Sequence, residues 1–381
     1  MEVVYIIFSN CSRKDVNMQD ILNTSYEKSK KLKKSYNLFI LGLILLLIVS
    51  VILSVSLGSL RIKPSVSYSI ILNKLFGLSL GDPSEVANLS TYNVIWLIRM
   101  PRVLLAIAVG AGLAICGTVM QATVQNPLAE PYILGISSGA SLGATFSIML
   151  GIGTFSIFSI SGISLWAFLG ALGSSILVLA LSSIGSKMSS AKLVLSGTVV
   201  SALCNSLSNF IISIASDAEG MQSVKFWTMG SLATAKWQNI GFVVLVVIIC
   251  CLFFLTQGRT LNLMLMGDEA SITLGLNLNF YRRFYMIITS LLTGILVANC
   301  GIIGFVGLII PHISRSIVGS DHKKLVPTSI LLGSIFLIWA DVFARITIPN
   351  AELSIGIITG LVGAPFFVYI LLRKGFGYGD K

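Results

Sequence analysis

Polar and apolar positions in this chain come in long blocks rather than in alternation. Apolar runs fall at about 37–58, 100–122, 133–152, 161–184, 192–215, 238–256, 282–301, 303–318, 326–345 and 353–373. Most of them approach the ~20 residues a helix needs to cross the hydrocarbon core of a bilayer. The pattern predicts an all-α integral membrane protein, a polytopic bundle of about ten transmembrane helices. Run 303–318 is short, glycine-rich and interrupted by Pro311, which frees a carbonyl that neighbouring helices must satisfy. If that run only re-enters the membrane, the C-terminus changes side.

Composition agrees with a bilayer protein. Of 381 residues, 55% are hydrophobic and 11% charged, against roughly 25% charged in a soluble domain, and the mean hydropathy is +0.91. No length remains for a sizeable soluble domain. We expect a polar cytoplasmic N-terminal tail over 1–36, a transmembrane domain over 37–375 and a cytoplasmic C-terminal tail over 376–381. The first residues lack the basic cluster and apolar core of a signal peptide, and Met18 offers an internal start. With both termini inside, eighteen of the 26 Lys and Arg lie on the cytoplasmic side. The eight outside are Arg61, Lys63, Lys74, Arg99, Arg102, Lys225, Lys236 and Arg345. Because the net charge of +11 is spread over short loops and not clustered on one solvated face, nucleic acid is not expected as a partner.

Few residues here suit covalent or metal chemistry. Six cysteines form no CxxC pair and five of them lie inside apolar runs, so they read as core fillers. With only His312 and His322, no metal site is expected. Gly135-Ile136-Ser137-Ser138-Gly139 fits the G-x-S-x-G pattern, yet it opens a membrane helix and not the strand-turn-helix elbow a serine hydrolase needs. The chain has no Gly-Lys pair and therefore no P-loop, so ATP-driven transport would need an ATPase on another subunit.

Spacing marks three further features. Gly135, Gly139 and Gly143 recur every four residues and form a small-residue face for close helix packing. Ser201, Asn205 and Asn209, with Ser208 beside them, form a polar stripe on the fifth helix, which is costly against lipid. That stripe either bonds other helices or lines a wet path. Between the sixth and seventh helices, residues 261–276 are amphipathic, too short to span and acidic at Asp268 and Glu269. They predict a short helix on the cytoplasmic face, with acids near its N-terminus and Gly275 as a C-cap. It is either an ordinary interfacial helix or a knob gripped by a cytosolic partner.

Arg99, Arg102 and Arg345 sit at the outer membrane edge, against the positive-inside bias. They point to an acidic partner, arginine being suited to bidentate carboxylate capture. The competing reading is local pairing, since Asp341 precedes Arg345 by one helical turn.

Taken together, several segments make the chain resemble the permease subunit of bacterial ABC importers for iron siderophores, haem and cobalamin (FecCD-type). They include Trp96 to Arg102, Gln121, Asn126-Pro127-Leu128-Ala129-Glu130-Pro131, Leu134 to Ala140 and Trp227-Thr228-Met229-Gly230. Others are Gly267-Asp268-Glu269-Ala270 with Leu274-Gly275, Gly304 to Arg315, Asp321-His322, Ala340-Asp341, Ala344-Arg345, Glu352-Leu353 and Gly363 to Phe367. The resemblance covers about 38–375. Two departures stand out: Gln125 where many relatives carry a basic residue, and Ser354 where proline usually follows Glu-Leu. The resemblance implies a type II importer permease that pairs with a second copy of itself. It also implies two cytosolic ATPase subunits, which hold ATP and Mg while this chain binds no cofactor, and an extracytoplasmic binding protein that delivers the cargo. By the same likeness Gly267, Asp268, Glu269, Ala270, Leu274 and Gly275 couple to the ATPase. Arg99, Arg102 and Arg345 receive the binding protein, and the stripe of Ser201, Asn205, Ser208 and Asn209 lines the path. A ferric siderophore is the expected cargo, with haem or cobalamin as alternatives. The rival class is an ion-gradient carrier, since each half pairs a proline-interrupted segment with a glycine-rich helix. Such a carrier usually keeps a carboxylate near the midplane, and Asp341 and Glu352 are expected near the outer edge.

Overall fold

The computed structural model describes residues 18–58, 62–77, 89–152, 156–157, 160–184, 190–215, 217–348 and 351–374. The chain divides into a unit over 1–46 and a larger one over 47–381. The expected C-terminal tail at 376–381 lies outside the described residues, as does the tail up to residue 17. The remainder of the expected N-terminal tail is helical: α1 begins at Met18 and runs to Ser56. Its polar part is rich in Lys, which favours helix, and so continues the apolar part without a break.

Beyond α1 come α2 (Pro64–Phe76), α3 (Leu89–Val124), α4 (Ile136–Met149), α5 (Gly162–Ser182), α6 (Ser190–Ala215), α7 (Ala218–Thr228) and α8 (Trp237–Thr256). Short helices α9 (Gly258–Met264) and α10 (Asp268–Thr273) lead to α11 (Leu278–Cys300), α12 (Val306–Val318), α13 (His322–Ile346) and α14 (Ile355–Lys374). A two-residue ribbon pairs Ser156–Ile157 with Ile160–Ser161. Each of the ten apolar runs carries a helix, and among the described residues seven helices are long and apolar enough to cross a membrane. α4 and α12 fall short, at ~20 Å of helix each. Both lose length at their start to a residue with positive φ, Gly135 (69°) before α4 and Phe305 (68°) before α12.

α3 is the central post, buried on almost every side. Its ladder widens into a π-turn over Val94–Arg99, directly before Pro101, whose ring cannot accept the regular α-helical register. Glycines let its neighbours approach. A Cβ at Gly110 would overlap the Gly333 carbonyl of α13, and one at Gly117 the Gly307 carbonyl of α12. Two apolar cores result, one around α3 with α8, α11 and α13, the other among α4, α5, α6 and a second face of α11.

Candidate functional site

One end of the bundle carries the segment between α8 and α11. Instead of one helix over 261–276, two short helices meet at Gly267, whose φ of 97° favours glycine. The α9 helix is held down. Leu261 and Met264 are buried, Asn262 Nδ2 donates to Asp321 Oδ1 at 2.7 Å, and Asn262 Oδ1 accepts from the His322 amide at 2.8 Å. Asp321 caps α13. Burial raises its carboxyl pKa, but the bond from Asn262, the Lys323 amide and nearby Lys323 and Lys324 outweigh this and hold it below the ordinary carboxylate value.

The α10 helix is pinned by its base. Arg282, buried on the second turn of α11, points Nη2 at Asp268 Oδ1 at 3.0 Å and donates from Nε to the Thr123 carbonyl at 3.1 Å. Gln125, in the left-handed region at φ 53°, donates from Nε2 to Asp268 Oδ1 and to the Met264 carbonyl, both at 2.9 Å. Ser271 Oγ donates to the carbonyls of Leu263 and Gly267. Gly275 turns the chain at φ 84°, with its amide on the Ile272 carbonyl at 2.9 Å. Asp268 is thus an anchor toward the bundle, whereas Glu269 faces outward. Ala270 is half-buried, and the exposed tip is apolar, with Met266 62%, Ile272 53% and Leu274 58% exposed. A rigid base and an apolar tip suit a protein contact, since exposed apolar clusters on a polar rim mark docking surfaces.

The opposite end holds the three arginines, and all are buried. Arg102 Nε donates to Asp341 Oδ1 at 2.7 Å, and its Nη1 meets both Glu352 oxygens at 2.9 Å. Arg345 Nε takes the other Asp341 oxygen at 2.9 Å, while its Nη groups cap the carbonyls of Leu57 and Ser54. Arg99 Nη1 donates to the Val55 and Ser56 carbonyls. These bonds tie α1, α3, α13 and the approach to α14 into one clasp. Local pairing holds the three cations, because a buried guanidinium needs an anion or carbonyls around it. Glu352, with its side chain half-exposed, is the member of the clasp that solvent reaches.

Between the ends, the small and polar stripes divide. Gly139 and Gly143 pack α4 on α5, where a Cβ would overlap the Gly170 and Trp166 carbonyls respectively. Gly135 meets only ordinary side-chain contacts, and its positive φ turns the 3-10 segment Pro131–Leu134 into α4. On α6, Ser201 accepts a hydrogen bond from Ser138 at 3.0 Å and Ser208 is buried, whereas Asn205 and Asn209 are exposed. α6 is the least buried of the seven spans. The exposed face of α8 is apolar, formed by Phe242, Leu245, Ile248, Ile249 and Leu252, whereas α6 sets its two amides among the exposed Leu195, Val199, Leu203, Leu207, Phe210 and Ile214. α8 suits lipid; α6, with two open amides, suits another protein surface or water.

Glu130, marked in the sequence only by its place in a motif, and Tyr132, which no motif marked, also stand out. Glu130 Oε1 accepts the Phe305 amide at 2.9 Å and Tyr132 Oη donates to the Ile303 carbonyl at 2.9 Å, so the non-helical stretch between α11 and α12 is satisfied by side chains. Ser231 closes it further, its amide donating to the Cys300 carbonyl at 2.8 Å. Among the described residues no three His, Cys, Asp or Glu side chains could hold a metal ion.

The model of the FecCD transport family matches residues 46–373. The chain is 35% identical over 327 residues to the hemin transport system permease protein HmuU of Yersinia pestis, covering 82% of this chain and 97% of that protein. It is 35% identical over 318 residues to the vitamin B12 import system permease protein BtuC of Salmonella paratyphi A, covering 81% and 94%. A solved structure described as an inward-facing conformation of a metal-chelate type ABC transporter superposes with a TM-score of 0.73 at 31% identity, over 88% of this chain and 99% of that one.

Proposed function

The chain belongs to the FecCD transport family and has the type II importer permease fold, and from that membership we propose that it is the membrane path of an ATP-driven metal-chelate importer. Two copies form the path, two cytosolic ATPase subunits bind ATP and Mg, and an extracytoplasmic binding protein delivers the cargo. Both termini lie in the cytoplasm, with the segment 267–275 facing the ATPase.

The observation that carries this reading is the apolar tip of Met266, Ile272 and Leu274 on a base fixed by Asp268, Gln125 and Arg282. A tip alone would slide under load. Its base runs into α3 and α11, so a push on α10 moves two central helices and switches the permease between outward and inward openings. At the far end, a binding-protein carboxylate would engage Arg102 by displacing Glu352. In the middle, Asn205 and Asn209 of two copies would line the path.

The cargo we propose is a ferric siderophore. The polar groups exposed on α6 are amides and hydroxyls, with no imidazole or carboxylate among them, which suits a metal already fully ligated by its chelator. Vesicles holding the complex, loaded with ATP and offered labelled ferric siderophore, haem and cobalamin through the binding protein, test this directly. Preferential siderophore uptake is expected; uptake of haem or cobalamin alone would overturn the cargo and leave the importer intact.

A further inference from the structure

Arg282 and Arg283 are adjacent in sequence but end in different surroundings. Arg282 turns inward to Asp268, whereas Arg283 is exposed and makes no ion pair among the described residues. Beside Arg283 opens a groove of about 540 Å³ between α5 and α11. Its walls are apolar, with Ile176 and Leu179 on one side and Ile287 and Leu291 on the other. The two polar groups of its floor satisfy each other, Ser175 Oγ donating to Ser290 Oγ at 2.7 Å. The floor therefore asks nothing of an occupant.

Length and charge then say what fits. Along α5 the groove runs from Leu172 to Ser183, ~16 Å of helix, or about half of a ~30 Å hydrocarbon core. It thus reaches from the bilayer middle to one face, the span of a single acyl chain. At its mouth stands Arg283, the one charged residue of the groove's lining. No acidic residue lines the groove. A zwitterionic headgroup would bring its own cation to this mouth; an anionic one would not.

We propose that the groove between α5 and α11 is a binding site for an anionic phospholipid, with an acyl chain between Ile176 and Ile287 and the phosphate on Arg283. This site depends on membrane residence and not on the transported cargo. One cation near the headgroups favours an anionic lipid by about fivefold.

The full-length chain, purified in detergent and titrated with phosphatidylglycerol or phosphatidylcholine of identical acyl chains, tests the site by native mass spectrometry. Wild type should retain phosphatidylglycerol about fivefold over phosphatidylcholine, and Arg283→Gln, an exposed and fold-neutral change, should bring the ratio near one. Ala180→Trp, which fills the groove, should lower retention of both lipids. If that variant does not fold, Arg283→Gln still decides. Equal retention in wild type, or unchanged preference in Arg283→Gln, would overturn the site. So would displacement of the lipid by millimolar inorganic phosphate, which would mark a free-anion site. Crosslinking of Ile287→Cys to a second copy would overturn it too, by making the groove an interface.

Discussion

Arg282 Nη2 lies 3.0 Å from Asp268 Oδ1, and this contact joins the buried second turn of α11 to the first turn of an otherwise exposed helix. Removing either partner frees the base of α10. In Arg282→Met, Asp268 keeps Gln125 as its side-chain donor among the described residues, and the Thr123 carbonyl loses a donor. We expect a stability loss of about 1–3 kcal/mol, together with a clear fall in uptake per ATP hydrolysed. Glu269→Ala, at an outward-facing residue, should leave stability within about 0.5 kcal/mol of wild type. Thermal unfolding and the coupling ratio, measured on the same preparations, check both.

The arginine clasp predicts a gradient of costs. Asp341 is fully buried and serves Arg102 and Arg345 at once, so Asp341→Asn should cost about 3–5 kcal/mol or prevent folding. Glu352 is half-exposed, and Glu352→Gln should cost no more than about 1 kcal/mol. If a binding-protein carboxylate takes over Arg102, Glu352→Gln should also tighten docking; weaker docking would speak against that exchange.

Pro311 leaves the Gly307 carbonyl without its intrahelical donor, and Gln121 Nε2 approaches that oxygen at 3.5 Å from α3 while its Oε1 accepts from Arg315 at 3.0 Å. Gln121→Leu should destabilise by about 1–3 kcal/mol. Adding Pro311→Ala restores an N–H to Gly307 and should recover part of that loss. A double-mutant cycle on thermal stability measures the coupling.

The glycine face of α4 divides by position. Gly139→Ala and Gly143→Ala drive a methyl into backbone carbonyls of α5, which cannot yield as a side chain would, and each should cost about 1–3 kcal/mol. Gly135→Ala strains only its own φ, at about 1–2 kcal/mol. Unfolding temperatures of the three variants should rank in that order.

Much of this was legible in the sequence because it is local. A 20-residue apolar run predicts its own helix, and Gly275, at positive φ, ends α10 where the loop pattern put it, whereas the break at Gly267 was not foreseen. What stayed hidden depends on partners far along the chain. Glu352 is 250 residues from Arg102, and no periodicity links them. Likewise, nothing in the sequence separates the adjacent Arg282 and Arg283, and only packing turns one inward. The stripe of Ser201, Asn205 and Asn209 was visible, but repeats every four residues drift around a 3.6-residue helix, so Ser201 meets Ser138 while Asn209 opens outward.

The central claim is that α10 transmits ATPase motion into this chain. Uptake of labelled ferric siderophore into proteoliposomes holding permease, ATPase and binding protein tests it, comparing wild type with the double variant Ile272→Asp/Leu274→Asp under ATP or under an ion gradient alone. We predict uptake by wild type only with ATP, and its loss in the variant while thermal unfolding stays unchanged. Uptake that ignores ATP and follows the gradient, or a variant that transports like wild type, would contradict the account.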